Sequence, residues 1–478
     1  MTLFFTSTPS LAQVLADVPD GRALTYLVTD PLTGEELLRY RVWRGFDKHQ
    51  PVLWREDRSS DGSHSLTECF ERNGRQQPVT GWRQVSFGKT GKLTASVFQI
   101  ADPTMYPLLS RPLPASGLEP FACFKGSLLD KAAIERGEEA STHLWLSDNF
   151  YLNLIFKPEE HERIQVPDGS FDSIKIKVTV DSLSLFPRIP SFLAPLLSAI
   201  AGPSITLWIS SGPTHQLLRL ELRGISIRGY QNSVAELLLS EDAPTVPPEQ
   251  FEFLDVASEL PPEPALVTMN TGNVSLGNAT ARVSMKEAHT SEGELMIVRA
   301  AFSRSLIVEA RAVENFSVMM PTRFIEQRIY DSEGALVERA AAYLNREGQN
   351  LYSDVYPNSM VLALILPRLF ENDRAHFHVV GFSQTAVSFG RTEHEVEMWR
   401  RGLSTVNVGG LPVQAIHMKL RPLVNVPSYL RPIVKLGTPT FDLYLGTNPP
   451  HRMLEFDGAF GLLGSSEIHV LADPLPQN

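Results

Sequence analysis

The sequence predicts a mostly β chain, built as two tandem homologous antiparallel β-barrel (or half-barrel) domains with a few short helices. Three observations carry this. Apolar and polar residues alternate with a period of two through most of the chain, the signature of half-buried strands. A Pro-rich apolar phrase, PSFLAPLL at 190–197, returns as PSYLRPIV at 427–434 inside longer matching passages. An acidic, proline-rich tract without a basic residue lies between the two passages.

Strand signals come first. ALTYLVTD, ELLRYRVWRGF, TASVFQI, THLWLSDNFYLNLIF and SIKIKVTVDSLSL are rich in β-branched and aromatic residues in the first half. ARVSM, SLIVEARAV, AHFHVV, QAIHMKLRPL and TFDLYLG do the same in the second. Turn chemistry punctuates them at DPLTG, SSDG, FGKTG, PDG, DSEG and NREG. Helix candidates are LLDKAAIERGEEA, SFLAPLLSAIA, ALVERAAAYL and SMVLALILPRLF. Many strands joined by short turns favour antiparallel meanders that curl into barrels.

The repeat fixes the domain plan. ITLWISSGPTHQLLRLE follows the first phrase and FDLYLGTNPPHRMLEFD the second. Leu207 matches Leu443, Trp208 matches Tyr444, Pro213 matches Pro449, His215 matches His451 and Leu218 matches Leu454. Glu160-His161-Glu162 is matched to Glu393-His394-Glu395, His143 to His376, Phe156 to Phe389 and Tyr106-Pro107 to Tyr356-Pro357. Order is kept while spacing drifts, as loop insertions and deletions produce. The reading is a tandem duplication: a first β domain over 1–240, an acidic linker over 241–265 and a second β domain over 266–478. The linker holds six prolines and seven acidic residues, which stiffen and solvate it. Pro190 and Pro427 suit the first turn of a short helix, and Pro195 and Pro432 limit its run. Each phrase is therefore expected to close one barrel end, as plain core or as a lid over a cavity.

Composition narrows the partners. A chain of 478 residues exceeds one ordinary hydrophobic core. A net charge of −11, spread along the chain, excludes the concentrated basic surface that nucleic acid needs. Cys69 and Cys123 can pair, but two buried thiols are the favoured reading, since free cysteine is so often buried. No apolar run reaches the roughly 20 residues of a membrane helix, so no integral membrane segment is expected. The opening MTLFFTSTPSLAQ lacks a basic start and a long apolar stretch, which points to the cytoplasm. SLAQ has the small-residue form of a cleavage site, and a start further upstream would make the protein periplasmic.

Candidate chemistry is sparse. FGKTGK at 87–92 lacks the leading glycine of a phosphate loop, since Arg83 stands in its place. HVVGFSQTA at 378–386 imitates a nucleophile elbow at Ser383 but has Thr385 where the second glycine belongs. His376 and His378 share one strand face, a workable metal geometry; surface or core histidines are favoured, and no metal or cofactor is expected. Glu160, His161, Glu393 and His394 are the acid-base candidates, because a buried histidine beside carboxylates is poised near neutral pH. The alternative is a charged strand edge. Phe192, Trp208, His215, Tyr429, Tyr444 and His451 are the ligand-binding candidates, set against turn histidines and core aromatics. Asn273, Asn278 and Asn315 fit the glycosylation pattern.

The duplicated strand-rich halves resemble tandem calycin- or lipocalin-like and lipoprotein-carrier-like bacterial β-barrel proteins. The resemblance rests on strand spacing and duplication across most of both halves. It implies a hydrophobic small molecule, lipid- or terpenoid-like, bound in a cavity or crevice. It also implies a second possibility, a cofactor-free cyclase, isomerase or hydratase. A tandem protein-interaction adaptor is the third expectation, and homo-oligomerisation is open.

Overall fold

The computed structural model describes residues 18–47, 50–71, 79–102, 119–120, 123–124, 129–147, 150–180, 204–212, 215–227, 230–244, 267–276, 279–290, 293–302, 307–314, 322–343, 355–356, 374–381, 392–423, 440–448, 451–460 and 466–473. The first half forms β1 (Arg22–Thr29), β2 (Glu36–Asp47), β3 (Gln50–Ser59), β4 (His64–Glu71), β5 (Val79–Phe87), β6 (Leu93–Ile100) and β7 (Glu119–Pro120). It continues with α1 (Lys131–Glu135), β8 (Ala140–Ser147), β9 (Phe150–Val166), β10 (Gly169–Val180), β11 (Ser204–Ser210), β12 (Leu217–Ile227) and β13 (Tyr230–Asp242). The second half forms β14 (Val267–Leu276), β15 (Ala279–Thr290), β16 (Gly293–Phe302), β17 (Ile307–Glu314), β18 (Thr322–Tyr330), β19 (Leu336–Tyr343) and β20 (Val355–Tyr356). It ends with β21 (Arg374–Gly381), β22 (Thr392–Val408), β23 (Leu411–Leu423), β24 (Phe441–Gly446), β25 (Met453–Phe460) and β26 (Ser466–Ala472).

The chain divides into two compact units that carry β1–β13 and β14–β26. In the first unit β1 sits mid-sheet. The meander β2 to β6 runs off one side of it, and β13 back to β7 runs off the other. Every pairing is antiparallel except β7 with β8. The second unit repeats this strand for strand: β14 is central, β15 to β19 lie on one side, β26 back to β20 on the other, and β20–β21 is the parallel pair. The fold class is as the sequence predicts, in its half-barrel form. Among the described residues no pairing joins the two ends of either sheet, so each sheet is open.

The register shows the duplication directly. The hairpin β2–β3 closes at Asp47 opposite Gln50, and β15–β16 at Thr290 opposite Gly293. A bulge follows Phe70 on β4 and its counterpart Val313 on β17. A second pair of bulges follows Ser86 and Ile329. Glu68 faces Arg83 on β4–β5, while Arg311 faces Glu326 on β17–β18. Opposite charges thus stand opposite each other in both units, with their signs exchanged.

Turn-anchored register corrects several matches made on letters. The long hairpins close at Val166 opposite Gly169 and at Val408 opposite Leu411. Counted back from those turns, Glu160-His161-Glu162 falls on Gly402-Leu403-Ser404, and Glu393-His394-Glu395 falls on Tyr151-Leu152-Asn153. His143 faces Asn153 and His378 faces Glu395, so the partner of His143 is His378 and not His376. Phe156 falls on Met398. Register is set by turn length and by which face is buried, and a two-residue Glu/His coincidence cannot override it.

ALVERAAAYL is a strand, β19, and not a helix. Its alternate residues Val337 and Ala341 are buried, and the ladder with β18 overrides the helix propensity of Ala, Glu and Arg. LLDKAAIERGEEA does contain the helix α1, capped by the Asp130 carboxylate accepting from the Ala133 amide at 3.0 Å. The helix candidates at 191–201 and 359–370, both Pro-rich phrases and most of the acidic tract lie outside the described residues. By chain order the two phrases occupy the same connection in each unit, β10–β11 and β23–β24. Cys69 and Cys123 are joined in a disulfide, contrary to the favoured reading of two thiols. Strand folding brings their Cα atoms to 5.8 Å although 54 positions separate them.

Candidate functional site

Each sheet has two faces. On the face that carries Tyr26, one cross-strand row of the first unit reads Ile176, Leu207, Leu220, Ala235, Val28 and Leu38 across six strands. All six are buried. The same row in the second unit reads Met418, Leu443, Phe456, Val470, Val274 and Ala281. Burial of each large aliphatic side chain in the first unit's row contributes about 1.5–3 kcal/mol; in the second, Met418, Leu443 and Ala281 are buried and Phe456 and Val470 half-buried. An apolar floor is therefore common to both copies.

Beyond β1 the Tyr26 face of the first unit changes character. The next rows read Leu24, Val42, Arg55, Thr67, Gln84, Val97, and Tyr26, Tyr40, Asp57, Ser65, Ser86, Ala95. Arg55 and Asp57 are both about 2% exposed, and Arg55 Nε donates to Asp57 Oδ1 at 2.7 Å. The Ser65 hydroxyl donates to Asp57 Oδ2 at 3.2 Å. The Arg55 guanidinium lies 5.4 Å over the Tyr40 ring, which stacks on Tyr26 at 4.7 Å. Burial pushes the Tyr40 hydroxyl well above its ordinary pKa, and the neighbouring Tyr26 and Asp57 add to this while Arg55 opposes it. Sequence reasoning missed this cluster because VLWREDRS reads as a strand with a solvated charged side.

The opposite face holds two of the sequence-predicted aromatics, Trp208 and Tyr444. Trp208 lies between Lys175 and Arg219, and its indole N–H donates to Glu162 Oε1 at 2.6 Å. Arg219 sits 5.3 Å over its ring. Tyr444 occupies the same place in the second unit, between His417 and Glu455. It stacks on His417 at 4.7 Å and packs against Val406, Val408, Ala415 and Leu454, where the β22–β23 hairpin meets β25. His417 Nε2 lies 2.5 Å from Asp442 Oδ1, and Lys419 Nζ 3.0 Å from the same oxygen. Partial burial raises the Asp442 carboxyl pKa, but hydrogen bonds from His417 and Lys419 outweigh it and hold the group below its ordinary value. Trp208 and Tyr444 thus sit where the long hairpins pack, away from the Tyr26 face.

His215 and His451 are the non-glycine residues with positive φ among those described, at 38° and 50°. Each amide closes a tight turn, onto Gly212 O at 3.3 Å and Asn448 O at 2.9 Å. His451 Nδ1 lies 2.9 Å from Gly446 O, and His215 Nε2 lies 3.1 Å from Glu135 Oε1 at the end of α1. Both are turn residues. His161 and Glu160 are exposed, and Glu160 is held by Lys175 Nζ at 2.8 Å. They are not brought together with the apolar rows. Glu393 and His394 face Val380 and Val379 in the ladder, and their side chains, with Phe192 and Tyr429, lie outside the described residues.

No protein-family model matches the chain, and no curated protein matches it. Solved structures similar to it include one described as a lipoprotein from Parabacteroides distasonis, with 14% identity over 48% of this chain and 99% of that one and a TM-score of 0.22. Another is an exported protein with a YmcC-like fold from Bacteroides fragilis, at 11% identity over 47% and 97%, with a TM-score of 0.19. MucB, in the Pseudomonas aeruginosa MucA/MucB complex, is similar at 12% identity over 70% and 91%, with a TM-score of 0.20. The first two are described as a lipoprotein and an exported protein, and none of the three is described as a calycin or lipocalin.

Proposed function

We propose that the chain is an exported binding protein that holds an apolar small molecule against the Tyr26 face of its sheets. The observation that carries this is the apolar row kept across six strands in both copies, from Ile176 to Leu38 and from Met418 to Ala281, on sheets that stay open. The first unit's row is already buried by the chain itself, so the ligand would lie within an apolar interior, where burial of its own surface contributes about 25 cal/mol per Å². The disulfide supports export, because such bonds persist in oxidising compartments. Among the described residues no helix is long and apolar enough to cross a membrane.

Native mass spectrometry of the chain purified from an oxidising compartment tests this, followed by solvent extraction. The expected result is a lipid-like passenger that leaves with the solvent, and uptake of N-phenyl-1-naphthylamine by the stripped protein. A stripped chain that carried no passenger and took up no probe would overturn the reading and favour a protein-interaction role.

A further inference from the structure

Arg55 is buried, yet its Nη2 has no hydrogen-bond partner among the described residues. A guanidinium donor left unmatched away from water loses its solvation without return, and such a group in a native fold calls for a partner. The second unit shows that the fold does not need it. At the positions of Arg55 and Asp57 stand Val298 and Ala300, both buried in the same sheet, and at those of Ser65 and Thr67 stand Val308 and Ala310. One copy keeps a polar strip where its twin is aliphatic.

We infer that Arg55 is a ligand-binding residue of the first unit, and that it receives an uncharged oxygen acceptor, an ester, ketone or amide carbonyl, of the apolar molecule. The inference rests on the proposed function above and adds the chemistry of the ligand's polar end. Charge balance selects a neutral acceptor over an anion. Asp57 already neutralises Arg55 through the Nε bond, so a carboxylate or phosphate would leave an uncompensated buried negative charge. Asp57 takes both the Ser65 hydroxyl and Arg55 Nε, which leaves Nη2 of Arg55 without a partner. The apolar row beside Tyr26 runs off the same face across β1 and β13, so a molecule with one carbonyl and a hydrocarbon tail matches both parts.

The test is displacement of N-phenyl-1-naphthylamine from the full chain by dodecane, methyl dodecanoate and dodecanoate. In the wild type the ester is expected to bind one site about 10- to 100-fold more tightly than dodecane, the worth of a hydrogen bond from a charged donor, and more tightly than the anion. The double substitution R55V/D57A writes the second unit's residues into the first. It is expected to abolish the preference for the ester, read as the ratio of ester to dodecane affinity within the same variant. If that variant fails to fold, Arg55→Lys, which keeps the charge but loses the fork, is expected to reduce the same preference. Equal binding of ester and dodecane by the wild type, tighter binding of the anion, or a preference that survives the substitutions would overturn the inference while leaving the binding function standing. No displacement by any of the three would overturn both.

Discussion

The disulfide gives the sharpest asymmetry between the two units. Cys69 lies on β4 opposite Trp82, and the same place on β17 opposite Ile325 is Ala312. A bridge across 54 positions removes about 14 cal/mol/K of unfolded-chain entropy, or about 4 kcal/mol at 25 °C. Reduction with a phosphine, or the substitution C69A/C123A, is therefore expected to lower the stability of the first unit by about that amount and leave the second untouched. Native-state hydrogen exchange resolves the two. Amides of β3–β5 are expected to lose protection, while those of β16–β18 keep theirs. Equal loss in both units, no loss in either, or free thiols in protein made in an oxidising compartment would refute the reasoning.

Three further outcomes follow from single side chains. Burial pushes the Glu68 carboxyl to about 7 from 4.5, with Arg83 pulling it down and Asp47 up, so between those two values the folded chain holds a proton that the unfolded chain has lost. The contribution of Glu68 to stability is then full below about pH 4.5 and is lost as pH rises through 7, and E68Q is expected to remove that component in denaturant titrations across the range. His451→Ala is expected to cost about 1–2 kcal/mol, since it loses the bond to Gly446 O and keeps a strained positive φ, whereas His451→Gly recovers part of this in thermal melts. Gly272→Ala would place a Cβ 2.5 Å from the Leu471 carbonyl oxygen on β26, so it is expected to destabilise the second unit and deprotect β14 and β26 in hydrogen exchange.

Much of the fold is legible in the sequence. Alternation marks β1, β2, β10 and β23, and the Leu207–Leu443, Trp208–Tyr444 and His215–His451 matches fall on equivalent places in β11–β12 and β24–β25. Those matches hold because no loop length changes between the compared residues. Matches made across long connections slip, as with His143 and His376, because insertions there move the letters but not the ladder. β19 escapes because three successive alanines carry no alternation for the eye to follow. The disulfide and the Arg55–Asp57 pair are long-range facts. Their chemistry depends on which strand lies alongside and on both faces of β3–β5 being covered, and no local window contains that.

The central claim, that the Tyr26 faces of two duplicated open sheets hold an apolar ligand, is tested most directly by methyl NMR of the full chain titrated with methyl dodecanoate. The account predicts shifts confined to methyls of that face, among them Ile176, Leu207, Leu220, Val28 and Leu38 in the first unit and Met418 and Leu443 in the second. Shifts at exposed Leu403 and Leu411 instead, with those seven unmoved, would contradict it.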